Sequence, residues 1–202
     1  MDRNGPLPNN PNKEIMITLI SNIVVAFSLC GAPILQKQDK TLADSEAMLN
    51  LATATQPLVH FATVNAPVKA VWDAYTTTKG IKSWMVAEGT IDLKIGGLMR
   101  TSYTAGSDLT GKDVIENKII SYDPEHMLTI QTVRFPEGFP FKNAISKVWT
   151  VLYFESVGAK QSKVVCRMLG WDGSDESTQM RKFFMRGNQQ ELDELVKHFG
   201  KK

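Results

Sequence analysis

The residues best suited by type and spacing to chemistry are two glycines and a lysine in the middle of the chain. Gly106, Gly111 and Lys112 match the first part of the phosphate-binding pattern G-x4-G-K-[ST]. Asp113 occupies the last position, where that pattern needs a hydroxyl to bind magnesium. The segment also lies between two strand-like stretches and opens no helix. We therefore predict a hairpin turn there and no phosphate site.

The remaining reactive side chains form no recognisable catalytic or metal-binding set. The histidines at positions 60, 126 and 198 are far apart, and none is spaced with another ligand as a metal site requires. Cys166 lies in an apolar strand, which is typical of an inert core thiol. We predict no metal, no cofactor and no catalytic residue, and the sequence favours a role other than catalysis.

Composition narrows the classes of protein further. The 202 residues contain 23 Lys and Arg against 21 Asp and Glu, so the net charge of +2 does not indicate nucleic-acid binding. Charged residues make up 22% and apolar residues 43%, which is typical of a folded globular domain. Two cysteines are too few for a disulfide framework.

The N-terminal region differs from the rest of the chain. Ile15 to Gln36 is uncharged and largely apolar, with Arg3 and Lys13 before it. This pattern predicts an export signal in residues 1–32, and hence a periplasmic or secreted protein. The alternative is a membrane anchor, because about 20 apolar residues span a bilayer. Membrane contact is expected only through this segment. Residues 33–55 are predicted to be a linker or loose helix, and residues 56–202 the folded domain.

The folded domain begins with a strand at 58–64. An amphipathic helix follows, with Val68, Val71, Trp72 and Tyr75 on one face, and then a short helical piece at 81–85. Turn residues then separate six predicted strands, at 89–93, 98–104, 112–121, 127–134, 146–155 and 163–169.

A long helix is predicted at 174–199. Asp175 and Glu176 in its first turn and Lys197 and His198 in its last match the helix dipole. One broad face carries Met180, Phe183, Phe184, Gly187, Glu191, Leu192, Leu195, Val196 and Phe199. We expect an α+β fold in which this face packs on an antiparallel sheet.

Large side chains and one glycine indicate a cavity between sheet and helix. Gly187 disfavours a helix by about 1 kcal/mol, which suggests close approach or space for a ligand. The candidate lining residues are Trp84, Met85, Tyr103, Trp149, Phe184 and Asn188. Arg100 is a candidate anchor if its strand face points inward and an ordinary solvated residue if it points outward. A shift of one residue in strand register would exchange the two faces.

Several segments resemble one protein superfamily. Residues 64–76 resemble the opening of the START-like superfamily that includes polyketide cyclases and the birch-pollen allergen. The segments Gly80 to Met85, Ile91 to Gly97 and Ile119 to Leu128 resemble the branch named after the activator of the heat-shock-protein-90 ATPase. The final helix is similar as well, although Asn188 stands where that branch usually has Trp. The resemblance covers residues 58–199.

This resemblance implies a helix-grip fold, in which about seven curved antiparallel strands wrap around the long C-terminal helix and enclose a cavity. The favoured function is binding of a small, mostly apolar molecule there. The alternatives are a cyclase-like or hydratase-like enzyme that uses Arg100 or Tyr103 in the same cavity, and a protein-interaction domain with no partner identified. The interaction domain would use the aromatic loop at 134–141.

Overall fold

The computed structural model describes residues 53–200. The predicted signal or anchor, and all but the last three residues of the predicted linker, lie outside this range. Within residues 53–200, no helix is long and apolar enough to cross a membrane.

Seven antiparallel strands form a single sheet in the described part of the chain. The strands are β1 (Leu58–Val64), β2 (Glu88–Ile91), β3 (Leu98–Ser102), β4 (Ile115–Asp123), β5 (Met127–Arg134), β6 (Trp149–Gly158) and β7 (Gln161–Leu169). Their order is β1-β7-β6-β5-β4-β3-β2, so β1 pairs with the last strand and lies at one edge. The other neighbours are consecutive in sequence, as short turns between alternating strands predict.

Between residues 58 and 200, four helices accompany the sheet. They are α1 (Val68–Thr76), α2 (Thr78–Trp84), α3 (Lys142–Ile145) and α4 (Asp175–Gly200). The two short helices after the first strand and the long C-terminal helix were predicted, and the α+β helix-grip expectation is confirmed. Pro67 precedes α1 in extended conformation. Thr77 caps α2 through a hydrogen bond from the Gly80 amide to its hydroxyl, 2.9 Å long.

One face of the sheet packs against the helices. Strand register places Val164 and Cys166 of β7 beside Phe154 and Leu152 of β6, and all four are buried. Two core clusters cover this inner face. The first core cluster joins it to α1, α2 and the C-terminal part of α4, including Trp72, Tyr75, Leu192 and Leu195. The second core cluster contains Phe139, Phe141, Met168, Trp171 and Met180.

Some strand boundaries differ from the predicted ones. β4 begins at Ile115, three residues later than predicted, because it is preceded by a turn in which the Gly111 amide donates a hydrogen bond to the Asp108 carbonyl (2.8 Å). β6 begins at Trp149, three residues later than predicted, because a turn after α3, in which the Lys147 amide donates to the Ala144 carbonyl (3.1 Å), occupies residues 146–148. The Gly106 to Asp113 segment joins β3 to β4, as the hairpin prediction requires. The Asp113 carboxylate accepts hydrogen bonds from Ser102 and Ser107, so this loop closes on itself.

Candidate functional site

The middle of α4 is less buried than either end of its inward face. Ser177 and Met180 are 2% and 0% exposed, and Leu192 and Leu195 are 1% and 0% exposed. Between these pairs, Phe184, Asn188 and Glu191 are only partly buried and Gly187 is exposed. The space that these four residues face is called here the mid-helix cleft. It lies along α4 between the parts of the helix that belong to the two core clusters.

Gly187 contributes directly to this opening. Helical spacing places it on the same side of α4 as Met180, seven residues before it, and Glu191, four residues after it. A Cβ atom added at Gly187 would meet no atom within 4 Å. The glycine therefore removes a side chain where the helix has no neighbour. Of the two roles predicted for it, close backbone approach is wrong; space for a ligand stays a prediction, with no described atom packed against this position.

The sheet beside the cleft is also incompletely covered. Asn188 bonds through Nδ2 to the Sδ atom of Met168, 3.1 Å away. Thr150 pairs with Met168 across the sheet, and Ile130 pairs with Thr150. Met168 is 3% exposed, but Thr150 and Ile130 are only half-buried. The inner face is therefore partly open beyond Met168.

Further along the inner face, β5 and β4 supply a polar pair. The Thr132 hydroxyl donates to Asn117 Oδ1 over 2.8 Å, and both side chains are half-buried. The uncovered strip thus contains apolar surface together with hydroxyl and amide groups.

Glu191 is the acidic side chain of the cleft. It lies one turn after Gly187 on the inward side of α4 and is partly buried. Its carboxylate forms no hydrogen bond or ion pair with another described residue. Burial raises its pKa from 4.5 to about 7, because a low-dielectric surrounding disfavours the charged form.

Three neutral groups surround this carboxyl group. Burial first, and then the charge of Glu191, raises the pKa of Tyr75, Tyr103 and Cys166 well above their ordinary values. Both phenols and the thiol therefore stay protonated at neutral pH. Tyr75 is 1% exposed, and its hydroxyl has no hydrogen-bond partner among the described residues. The Cys166 thiol is buried, as its strand position predicted.

Two predicted lining residues, Trp84 and Met85, lie at the end of α2. Both are partly buried and pack against the first core cluster. The Trp84 indole donates to the Ala74 carbonyl over 3.1 Å, and its ring meets Tyr75 edge to face at 5.0 Å between centroids. Tyr103 packs against the same cluster. Phe184 packs against the second core cluster, and its ring meets the Phe183 ring edge to face at 5.2 Å between centroids.

Arg100 and Trp149 lie on the opposite, outer face of the sheet. In β3, Met99 and Thr101 are the buried, inward residues, so Arg100 points outward. Its Nε donates to Glu116 over 2.9 Å. Trp149 is 39% exposed and adjoins Thr150, which points inward. The inward alternative for Arg100 is therefore wrong, and neither residue reaches the mid-helix cleft.

Two polar residues of the interior, Glu191 and His60, were not predicted as site residues. Glu191 falls within the apolar stripe of α4. An acidic residue among apolar ones is unusual, and this feature of the sequence could have identified it as a candidate site residue. His60 lies on β1 and bonds to the backbone of Met185 on α4. Its Nδ1 is buried without a partner among the described residues, and burial lowers its pKa. For His60, the only indication in the sequence was the alternation of inward and outward residues along β1, which places its side chain inward.

The aromatic loop at 134–141 does not form an exposed aromatic patch. Phe139 and Phe141 are 9% and 5% exposed and belong to the second core cluster. Phe135 is partly buried against the same cluster. The loop thus completes the core beside α3. Within residues 53–200, no group of three or more His, Cys, Asp or Glu is arranged to hold a metal ion.

Comparison with solved structures shows the same fold in several bacterial proteins. A protein from Mesorhizobium loti is 14% identical and matches with a TM-score of 0.54 over 71% of this chain and 96% of its own. The Aha1 dimer from Colwellia psychrerythraea is 16% identical, with a TM-score of 0.50 over 72% of this chain and 99% of its own. CalU16 from Micromonospora echinospora is 22% identical, with a TM-score of 0.51 over 72% of this chain and 76% of its own.

A search of curated proteins finds no match. A family model described as activator of Hsp90 ATPase homolog 1-like protein matches residues 65–200. That range runs from the turn before α1 to the end of α4, and so includes the mid-helix cleft. The chain therefore belongs to the family of proteins like the activator of Hsp90 ATPase homolog 1.

Proposed function

We propose that this protein binds a small, mostly apolar molecule in the mid-helix cleft. The observation that carries the proposal is the burial pattern of α4, whose inward face is buried at both ends and open in the middle. Gly187 has no side chain, and a Cβ atom added there would meet no atom within 4 Å. In a solid core, the inward residues of such a helix would be buried throughout, because protein interiors are close-packed.

The chemistry of the surrounding side chains supports an apolar ligand with few polar groups. Phe184, Tyr103 and Ile130 offer apolar surface that is only partly covered. Asn188 and Glu191 offer two polar groups on the helix. A mostly apolar lining with a few polar groups that orient the ligand is typical of small-molecule sites. The burial of Phe139 and Phe141 also favours a small molecule over a protein partner docked on the loop at 134–141.

Filling the cleft at Gly187 tests this proposal. Gly187→Leu is expected to weaken binding of the neutral fluorescent probe 2-(2-naphthyl)ethanol at least about 10-fold, since the new side chain occupies the ligand's space. The variant should still fold, because the added Cβ meets no atom within 4 Å. Replacing glycine in a helix should even raise the unfolding free energy by up to about 1 kcal/mol.

Gln189→Leu is the matched control, because it adds the same side chain two residues away at an exposed position. Fluorescence titration of the full chain should give equal affinities for Gln189→Leu and the unmodified protein. Equal affinities for Gly187→Leu and the unmodified protein would contradict binding in this cleft.

A second candidate function, proton transfer to and from a bound carbonyl compound, is favoured by one observation. The pKa of Glu191 is raised to about 7, near the value that suits a general base at neutral pH. Tyr103 is a neutral hydroxyl donor beside it. If Glu191 acts as such a base, the protein should accelerate solvent deuterium exchange next to the carbonyl of 1-(2-naphthyl)propan-2-one. NMR should then find no acceleration with Glu191→Gln, and an unchanged rate in that variant would argue against this function.

A further inference from the structure

Glu191 lacks a cationic or hydrogen-bonding partner among the described residues, whereas four other carboxylates have one. Glu88 pairs with Lys82 at 2.7 Å, Glu116 with Arg100 at 2.9 Å, and Asp172 with Lys147 at 2.7 Å. Glu176 accepts hydrogen bonds from the Asn143 and Ala144 amides. Glu191 has no such partner among residues 53–200, although it is partly buried and burial raises its pKa.

Among the described residues, the titratable groups that face Glu191 from neighbouring elements are all neutral. They are Tyr75 on α1, Tyr103 after β3 and Cys166 on β7. His60 on β1 is the basic residue of the inner face that touches α4, and its lowered pKa keeps it neutral at pH 7. Arg181 on α4 donates to the carbonyls of Gln56 and Pro57 and stacks 5.4 Å from the Trp171 ring. These contacts direct its charge away from Glu191.

An interior carboxylate without a cation is unfavourable, and a bound cation would relieve that penalty. The aromatic rings nearby add to this preference. Trp84, Tyr75 and Tyr103 border the same region, and the face of an aromatic ring attracts a cation. A ligand with a negative group would instead be repelled by Glu191.

We propose that the ligand of the mid-helix cleft is a lipophilic amine, whose ammonium group pairs with the Glu191 carboxylate while its apolar part lies among Trp84, Tyr103 and Phe184. This inference rests on the proposed function and names the class of molecule that the cleft accepts. A neutral ligand that accepts a hydrogen bond from protonated Glu191 is the competing outcome. The two differ in their response to pH, because the amine needs the ionised carboxyl group and the neutral acceptor needs the protonated one.

Three probes with the same apolar body distinguish these outcomes. They are 2-(2-naphthyl)ethylamine, 2-(2-naphthyl)ethanol and 2-naphthylacetate, which carry a positive, a neutral and a negative group. At pH 8 the full chain should bind the amine at least about 10-fold more tightly than the alcohol, with the acetate weakest. Lowering the pH to 5.5 should reduce the amine's advantage, since Glu191 with a pKa of about 7 becomes protonated.

Substitutions assign this preference to Glu191. Glu191→Gln should remove the advantage of the amine at pH 8 and leave binding of the alcohol within about 3-fold. Asp193→Asn is the matched control, because Asp193 is an exposed carboxylate two residues further along α4. It should leave the order of the three affinities unchanged.

The outcomes separate the two proposals. If the alcohol binds as tightly as the amine at pH 8, or if Glu191→Gln keeps the amine's advantage, the amine assignment is overturned while the proposed function stands. If none of the three probes binds, the proposed function is overturned, and the amine assignment with it. Because His60 is present in both proteins, any contribution from its protonation would appear equally in Glu191→Gln.

Discussion

Raising the pH from 5 to 9 is expected to lower the unfolding free energy of this protein by about 2 to 3 kcal/mol through Glu191 alone. Its pKa is about 7 in the folded chain and 4.5 for an ordinary Glu. Between these two values the folded state binds the proton more strongly than the unfolded state does. The stabilising contribution is therefore complete below pH 4.5 and is lost as the pH rises through 7.

Urea unfolding of the unmodified chain and of Glu191→Gln, each at several pH values, measures this contribution. The pH-dependent difference between the two proteins should follow Glu191, since all other groups are shared. The lowered pKa values of Glu176 and Asp172 affect stability only below about pH 4.5. The lowered pKa of His60 makes the unfolding free energy rise with pH, which is opposite to the effect of Glu191, but His60 is present in both proteins. The same pH dependence in both proteins would show that Glu191 is not in a desolvated site.

The second large effect is expected from loosening the C-terminal end of α4. Leu195 is 0% exposed and packs in the first core cluster. Leu195→Ala should reduce the unfolding free energy by about 3 to 4 kcal/mol, because it removes buried surface and leaves a cavity.

Val196→Ala is the comparison for that measurement, because Val196 is 36% exposed on the same helix. It should change the unfolding free energy by less than about 1 kcal/mol. A loss below 1 kcal/mol for Leu195→Ala would mean that this end of the helix is not firmly packed. In that case the contrast between buried ends and an open middle would not hold.

The order of the elements could be predicted from the sequence because local signals specify it. The turn residues at Asp123 and Pro136 bounded the predicted strand 127–134, which matches the observed limits of β5. Charges at both ends predicted α4 to within one residue at each end. Such signals depend on neighbouring residues alone, so they need no knowledge of tertiary packing.

Which residues line the site could not be fully predicted, because that depends on strand pairing and tertiary contacts that the sequence pattern does not contain. Which face of β3 points inward is decided by its pairing with β4, where Arg100 lies beside Glu116. Apolar character suggested that Trp149 was interior, but alternation in β6 places Thr150 inward instead. Glu191 could be placed on the inward face of α4 from spacing. Its lack of a partner follows from the neutral groups on three other elements, which only the tertiary structure brings together.

The central claim is that the middle of α4 opens onto a site for a small molecule. Titration of the isotopically labelled full chain with 2-(2-naphthyl)ethylamine, followed by backbone amide NMR shifts, tests it most directly. The account predicts that the largest saturable shifts will fall on Phe184, Gly187, Asn188 and Glu191, and on Thr150 and Ile130 across the cleft. Saturable shifts confined to the outer face, around Arg100 and Trp149, or the absence of saturable shifts, would contradict it.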